Sequence, residues 1–177
     1  MVSNISATVW TVDDDGTAQF TTIQAAVDTA QNGDTVFVFP GGYMENINLL
    51  NKTIWLIGSA KDSTIIEATT GGLLFGSNKC YVYNFTLEGN NSCEFGISLE
   101  SNSTIKNNNI SNFYYAGLKI PFGPTNPNSD LLIENNLITN NHYGIFFDVD
   151  YPGHPDSIKV IGNTIENNDY GIIYFPE

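Results

Sequence analysis

The feature that most constrains this chain is that its last third repeats itself. Residues 160–174 read V-I-G-N-T-I-E-N-N-D-Y-G-I-I-Y, and residues 133–147 read I-E-N-N-L-I-T-N-N-H-Y-G-I-F-F, 27 positions earlier and without a gap. A looser copy spans 105–120, with Asn108, Ile110, Asn112, Gly117 and Leu118 in the matching places. A weaker one spans 82–99 and ends Phe95-Gly96-Ile97. Each copy holds three short apolar runs separated by polar or glycine-bearing turns. The alternation in Ile158-Lys159-Val160 is that of a strand, and no run is long enough for a helix. A unit of short strands cannot bury its own apolar face, whereas stacked units share one continuous core.

Stacking puts equivalent side chains in columns. Val82, Ile105, Ile133 and Val160 form one, Leu87, Ile110, Ile138 and Ile165 a second, and Ile97, Leu118, Ile145 and Ile172 a third. Asn108, Asn136 and Asn163 form a polar column at one corner. Asparagine tolerates the left-handed backbone of a sharp corner, and stacked amides can bond along the axis, so these residues read as structural.

The N-x-I-x-x-N-x-x-G-I pattern resembles the right-handed parallel β-helices of the pectin-lyase-like superfamily. It is especially similar to the carbohydrate-binding and sugar-hydrolase repeat of NosD-type periplasmic proteins. T-I-Q-A-A-V at 22–27 and the run G-D-T-V-F-V-F-P-G-G-Y-M-E-N-I at 33–47 are similar to the opening of pectin methylesterases and of prokaryotic surface-layer β-helix proteins. The resemblance implies an all-β fold, a single right-handed parallel β-helix over 1–177. About six coils over 34–177 follow a short N-terminal capping α-helix at 20–31. Ile23, Ala26, Val27 and Ala30 give that helix one apolar face, Thr21 and Gln24 fit a capping box, and Asn32-Gly33 stops it. Such a helix covers the open end of the solenoid. Val36 and Val38 point inward, and Tyr43 packs on the Pro40-Gly41-Gly42 turn.

The net charge is −13, with six lysines, no arginine and 19 acids. No basic patch can be assembled, which argues against a nucleic-acid partner and an anionic membrane surface. No stretch reads as a transmembrane segment or a signal peptide. Met1-Val2-Ser3 suggests a start placed on a mature or excised segment. Sequons at Asn4, Asn51, Asn84, Asn90, Asn102 and Asn109 are only modestly more frequent than this composition produces by chance. Cys80 and Cys93 are the only cysteines. Cys80 shares an inward column with Leu131 and Ile158 and reads as a buried thiol, with a disulfide left open.

Two inserts, 121–129 and 148–157, follow the third strand of their coils and emerge on one side, where solenoids carry function. The enzymes that the resemblance brings to mind fail at their catalytic residues. The lyases need an arginine, the methylesterases an arginine and their aspartate-bearing runs, and the galacturonases an aspartate trio with G-H-G. Here His154 stands in P-G-H-P-D. The remaining constellation is Glu100, Asp148, Asp150, His154 and Asp156, with Tyr151 beside it. Paired carboxylates there could serve glycoside hydrolysis, or Glu100, Asp148 and Asp150 could hold calcium. A solvated acidic edge is the reading the composition favours. The acidic turn Asp13-Asp14-Asp15-Gly16 likewise reads as a solvated loop rather than a cation site. Two methionines, two histidines and two cysteines without spacing make no copper site, and His142 reads as an outward corner residue. Phe113, Tyr114, Tyr115, Tyr143, Tyr151 and Tyr170 lie near the corners, where exposed rings could bind sugars; packing over neighbouring coils is the favoured reading.

The expected function is a non-enzymatic extracellular module of a cell-surface layer, sheath or adhesin. The alternative is polysaccharide binding or cleavage at the loop face. The apolar last coil leads to a further expectation. Either the native chain continues, or the end associates with another copy.

Overall fold

The computed structural model describes residues 7–49, 52–76, 79–99, 102–122, 130–149 and 157–174. Strand β1 (Val9–Val12) and helix α1 (Ile23–Thr29) come first. Six coils of three strands follow. They are β2 (Thr35–Val38), β3 (Gly41–Met44) and β4 (Ile47–Asn48); β5 (Trp55–Gly58), β6 (Thr64–Glu67) and β7 (Gly71–Gly76); β8 (Tyr81–Tyr83), β9 (Thr86–Glu88) and β10 (Cys93–Leu99); β11 (Thr104–Lys106), β12 (Asn109–Ser111) and β13 (Ala116–Phe122); β14 (Asp130–Glu134), β15 (Leu137–Thr139) and β16 (Tyr143–Val149); and β17 (Ser157–Ile161), β18 (Thr164–Glu166) and β19 (Tyr170–Tyr174). First strands stack into sheet A with β1 at its edge, second strands into sheet B, and third strands into sheet C, all with parallel neighbours.

The expected columns form in register. Val82 pairs with Ile105, Ile105 with Ile133, and Ile133 with Val160. The second column extends upstream through Ile66 to Tyr43, and the third through Leu74 to Ile47. Tyr43 is buried on its turn and donates its hydroxyl to the Phe39 carbonyl at 3.0 Å. Burial and the charges of Asp14, Asp13 and Glu45 push its phenol up to about 12, against a hydrogen bond that lowers it. Cys80 and Cys93 are both buried and free, which closes the disulfide option left open by the sequence. Burial pushes the Cys80 thiol up to about 11, so it stays protonated at neutral pH.

A glycine column runs along the start of sheet C, through Gly96, Gly117 and Gly144. A Cβ at Gly144 would stand 2.6 Å from both the Gly171 carbonyl and the Ile165 side chain. The Y-G-I signature is therefore a close-approach requirement, not a flexible joint.

The N-terminal end departs from the sequence reading in two respects. Helix α1 packs its buried face of Ile23, Ala26 and Val27 over the first coil, as expected, but it is only seven residues long. The Thr21/Gln24 capping box does not form, because Thr22 is the N-cap and makes no side-chain bond. Glu45, from the coil beneath, accepts the Ile23 and Gln24 amides at 2.7 and 2.9 Å. Gln24 is thereby released to close the bare edge of β4, accepting from the Asn48 amide at 2.8 Å and donating to its carbonyl at 3.1 Å. Asp14, in the acidic turn, accepts the Gly42 amide at the edge of β3 at 3.0 Å. Lys52 donates to the Val27 and Asp28 carbonyls at the helix C-terminus at 2.7 and 2.8 Å.

Asp34 ties β1 and the helix exit to the first coil. Its carboxylate accepts the Thr8 and Gln31 amides at 2.8 and 2.9 Å and the Trp10 indole at 3.0 Å. Burial alone would raise this carboxyl. The Gln31 and Thr8 amides, the indole and the charge of Lys52 outweigh it and hold the group below its ordinary 3.8.

Two outcomes test this account. Ile138→Ala, in the middle of the second column, should cost about 2–5 kcal/mol in urea melts. Its outward neighbour Thr139→Ala should stay within about 0.5 kcal/mol. Asp34 has its folded pKa below its unfolded one. Its stabilisation is complete above the ordinary carboxylate range and is lost as pH falls through the folded value. The gap in urea midpoint between wild type and Asp34→Asn should therefore be widest at pH 7 and shrink below about pH 4.

Candidate functional site

Three short strands per coil require sharp corners, and the corners carry most of the asparagines. At the corner between sheets A and B the left-handed residues are Asn84, Asn107, Asn135 and Gly162, with φ between 55° and 64°. The expected column of Asn108, Asn136 and Asn163 is present but stands one position later, and none of the three is left-handed. The task is divided: the first residue makes the bend and the second satisfies the backbone. Asn136 Oδ1 accepts the Asn108 amide at 2.9 Å, and Asn136 Nδ2 donates to the Ile105 carbonyl at 2.9 Å and to Asn163 Oδ1 at 2.9 Å. Asn163 Oδ1 takes the Asn136 amide at 2.9 Å, and Asn108 Oδ1 takes that of Phe85 at 3.0 Å.

A second ladder, not anticipated from the sequence, fills the corner between sheets B and C. Asn112, Asn140 and Asn167 bend the chain there. Asn141 Oδ1 accepts the Phe113 amide at 3.0 Å, and Asn168 Oδ1 the Asn141 amide at 2.9 Å. The paired asparagines of N-N-H-Y-G and N-N-D-Y-G were the available signal. The first of each pair bends and the second bonds.

Of the expected loop-face constellation, Glu100, Asp150, Tyr151, His154 and Asp156 lie outside the described residues. Asp148 lies at the outer face of β16, ion-paired with Lys119 of the preceding coil at 3.3 Å. Among the described residues no group of three or more His, Cys, Asp or Glu is placed to hold a metal ion. His142 sits at its corner as expected, with Nδ1 2.8 Å from Asp169 Oδ2. The corner aromatics pack across coils: Tyr143 lies 5.3 Å from both Tyr115 and Tyr170, and Tyr115 and Tyr143 each lie 5.2 Å from Phe146. Phe146 points outward in register yet is 6% exposed. Burial raises the Tyr115 phenol, and the nearby Asp148, Tyr143 and Glu94 raise it further. Of the sequons, Asn109 is half-buried within β12, and its Oδ1 is buried without a partner among the described residues. No helix among the described residues is long and apolar enough to cross a membrane.

The outer face of sheet A contains side chains the sequence reading passed over. One outward column runs Thr35, Trp55, Tyr81, Thr104, Leu132, Lys159. Trp55 and Tyr81 stack with centroids 4.5 Å apart and planes 2° from parallel. Their spacing of 26 residues, close to the repeat length, was the signal that could have found them.

Calcium at Asp148 would have to displace the Lys119 ammonium before gaining anything. The melting temperature should therefore be the same in millimolar calcium and in chelator. A rise with calcium, by mass action on the folded state, would show that Asp148 joins carboxylates from the neighbouring insert.

No individual curated protein matches this chain. A family described as the right-handed beta helix region matches it over residues 29–175. That span takes in the six coils, the corner asparagines and the glycine column, and the chain belongs to the right-handed β-helix family.

Proposed function

We propose that this chain is a non-enzymatic structural module of an extracellular layer, sheath or adhesin, serving as a stiff rod. The observation that carries this reading is the pair of buried asparagine ladders. They tie each of the last three coils to the one before it through side-chain amides as well as through the sheets. Hydrogen bonding along the axis on this scale favours axial rigidity. The one described acid of the loop constellation, Asp148, is neutralised by Lys119. The acidic surface of a −13 chain suits a hydrated exterior. Self-association belongs to the same reading.

Two measurements test the proposal. Incubation with acidic and neutral polysaccharides should release no reducing ends and no unsaturated products. Turnover that disappears in Asp148→Ala would replace the structural reading with the polysaccharide-cleaving one. Antibody labelling of intact source cells should mark the outer surface. Label seen only after lysis would remove the extracellular assignment.

A further inference from the structure

Four of the N-x-S/T sequons fall among the described residues, at Asn84, Asn90, Asn102 and Asn109. In three of them the fold has taken the sequon for itself. Their middle residues, Phe85, Ser103 and Ile110, are each 0% exposed. The Thr86 hydroxyl of the first donates to the Lys61 carbonyl at 2.7 Å. Asn102 is left-handed, and its Oδ1 accepts the Asp130 amide at 3.3 Å. Asn109 lies within β12, paired with a strand on either side. An enzyme that modifies a sequon needs it on a surface loop, and these three are parts of strands and tight corners whose central side chain points into the core.

Asn90-Asn91-Ser92 is different. All three residues are exposed, at the corner between sheets B and C of the third coil. That corner runs from Glu88 to Phe95. In register with it, the corners of the coils on either side run from Glu67 to Gly72 and from Ser111 to Ala116, so it is two residues longer than both. Part of the excess is the bulge between Cys93 and Phe95. The interior beneath is filled by Phe85, Leu87 and Cys93, all 0% exposed, so the extra chain can only turn outward.

This N-N pair also reverses the division of labour seen at the other corners. Asn91, the second residue, makes the bend, with φ 59°. Asn90, the first, accepts the Ser92 amide on its Oδ1 at 3.0 Å, an Asx turn. Asn90 Nδ2 reaches the Ala68 carbonyl at 3.5 Å, the limit of a hydrogen bond, whereas Asn168 Nδ2 in the ladder donates to carbonyls at 2.9 and 3.0 Å. The Asn90 amide nitrogen is thus held far less tightly than that of a ladder asparagine. An open groove of about 440 Å³, lined by Met44, Glu67, Thr69 and Asn90, runs beside the turn and leaves room for a bulky donor.

We propose that Asn90 is a site of N-glycosylation, the one of the four described sequons that the folded chain presents to a glycosyl transferase. Its Nδ2 bonds to the anomeric carbon of an oligosaccharide carried on a polyprenyl diphosphate. The bond from that carbon to the diphosphate oxygen breaks, and its electron pair leaves with the diphosphate. Nδ2 gives up one proton to a base on the transferase. The glycan then stands on the outward turn, where it displaces no contact of the core. That chain and donor meet in the cell rests on the extracellular reading; that the fold selects Asn90 does not.

The experiment uses the folded full chain, a purified oligosaccharyltransferase and its polyprenyl-diphosphate oligosaccharide, with the occupancy of each site read by peptide mass spectrometry. Each rate is divided by that of a free peptide of the same sequon, which removes the enzyme's own preference between serine and threonine. On this scale Asn90 should be modified at least about tenfold faster than Asn84, Asn102 and Asn109. Ser92→Ala keeps the Asx turn, which uses the backbone amide, and should abolish the modification with an unchanged urea midpoint. Ser92→Thr should retain it. The proposal is overturned if Asn90 stays bare while its peptide is modified, if another described sequon matches it, or if Ser92→Ala is modified as the wild type is. In chain purified from its source, the Asn90 peptide should carry the glycan mass. A bare Asn90 on chain labelled at the outer cell surface overturns the proposal and leaves the extracellular reading standing. Label seen only after lysis overturns that reading, and the reaction in vitro still decides Asn90.

Discussion

The structure depends on one constraint: a chain that bends three times per coil turns peptide groups toward a dry interior. A buried peptide group without a partner costs about 1–3 kcal/mol, and every coil repeats the problem. The asparagine side chain is itself an amide, so it can stand in for the missing peptide. In both ladders Oδ1 takes an amide from the coil before, and Nδ2 returns a bond to a carbonyl of that coil or the next asparagine. The ladders begin where their first amide belongs to a phenylalanine, Phe85 at one corner and Phe113 at the other. Upstream of those points the rings fill the corner with carbon, and downstream the amides fill it with hydrogen bonds. The glycine column follows from the same packing. Asn141 Nδ2 would stand 2.9 Å from a Cβ on Gly117, so the ladder and the glycine are one feature.

The N-terminal end meets the constraint differently, because a helix rather than another coil packs on the first coil. A helix of seven residues is too short to persist alone. It holds because its apolar face is buried and its ends are satisfied by residues one coil away in sequence, Glu45 at the start and Lys52 at the finish. The strand edges that the helix would leave open are closed by Gln24 and Asp14. The acidic turn of the sequence is therefore more than a solvated loop; Asp14 acts as an edge plug.

What the sequence made legible follows from how each residue is constrained. The three inward columns were readable because a repeat preserves register, and burial on one face preserves residue type. The Asn108, Asn136, Asn163 column was readable for the same reason, but its backbone role was assigned to the wrong residue. In an N-N pair, composition cannot tell the bending residue from the bonding one. The second ladder stayed hidden behind the same ambiguity. Partners set by spatial neighbourhood rather than by repeat were not legible: Glu45 on the helix, and Lys119 on Asp148. The capping box failed because a local signal met a better-placed carboxylate from the next coil.

The outward columns obey a looser rule than the inward ones. An inward position must match its neighbours in size at every coil, while an outward one needs only to suit a strand and stay hydrated. Binding surfaces on a solenoid can therefore be written by changing one step of an outward column, with the spacing supplied by the backbone. The two aromatic faces of this molecule show the contrast. On sheet C, Phe146 is roofed by Tyr115 and Tyr143, so its ring is spent on sealing the coils together. On sheet A the stacked column stops at Tyr81, whose next neighbour in register is Thr104, and the Tyr83 ring meets Tyr81 edge-on at 6.2 Å. The same architecture thus carries clustered rings across the coils on one face and a column that steps from ring to hydroxyl on the other.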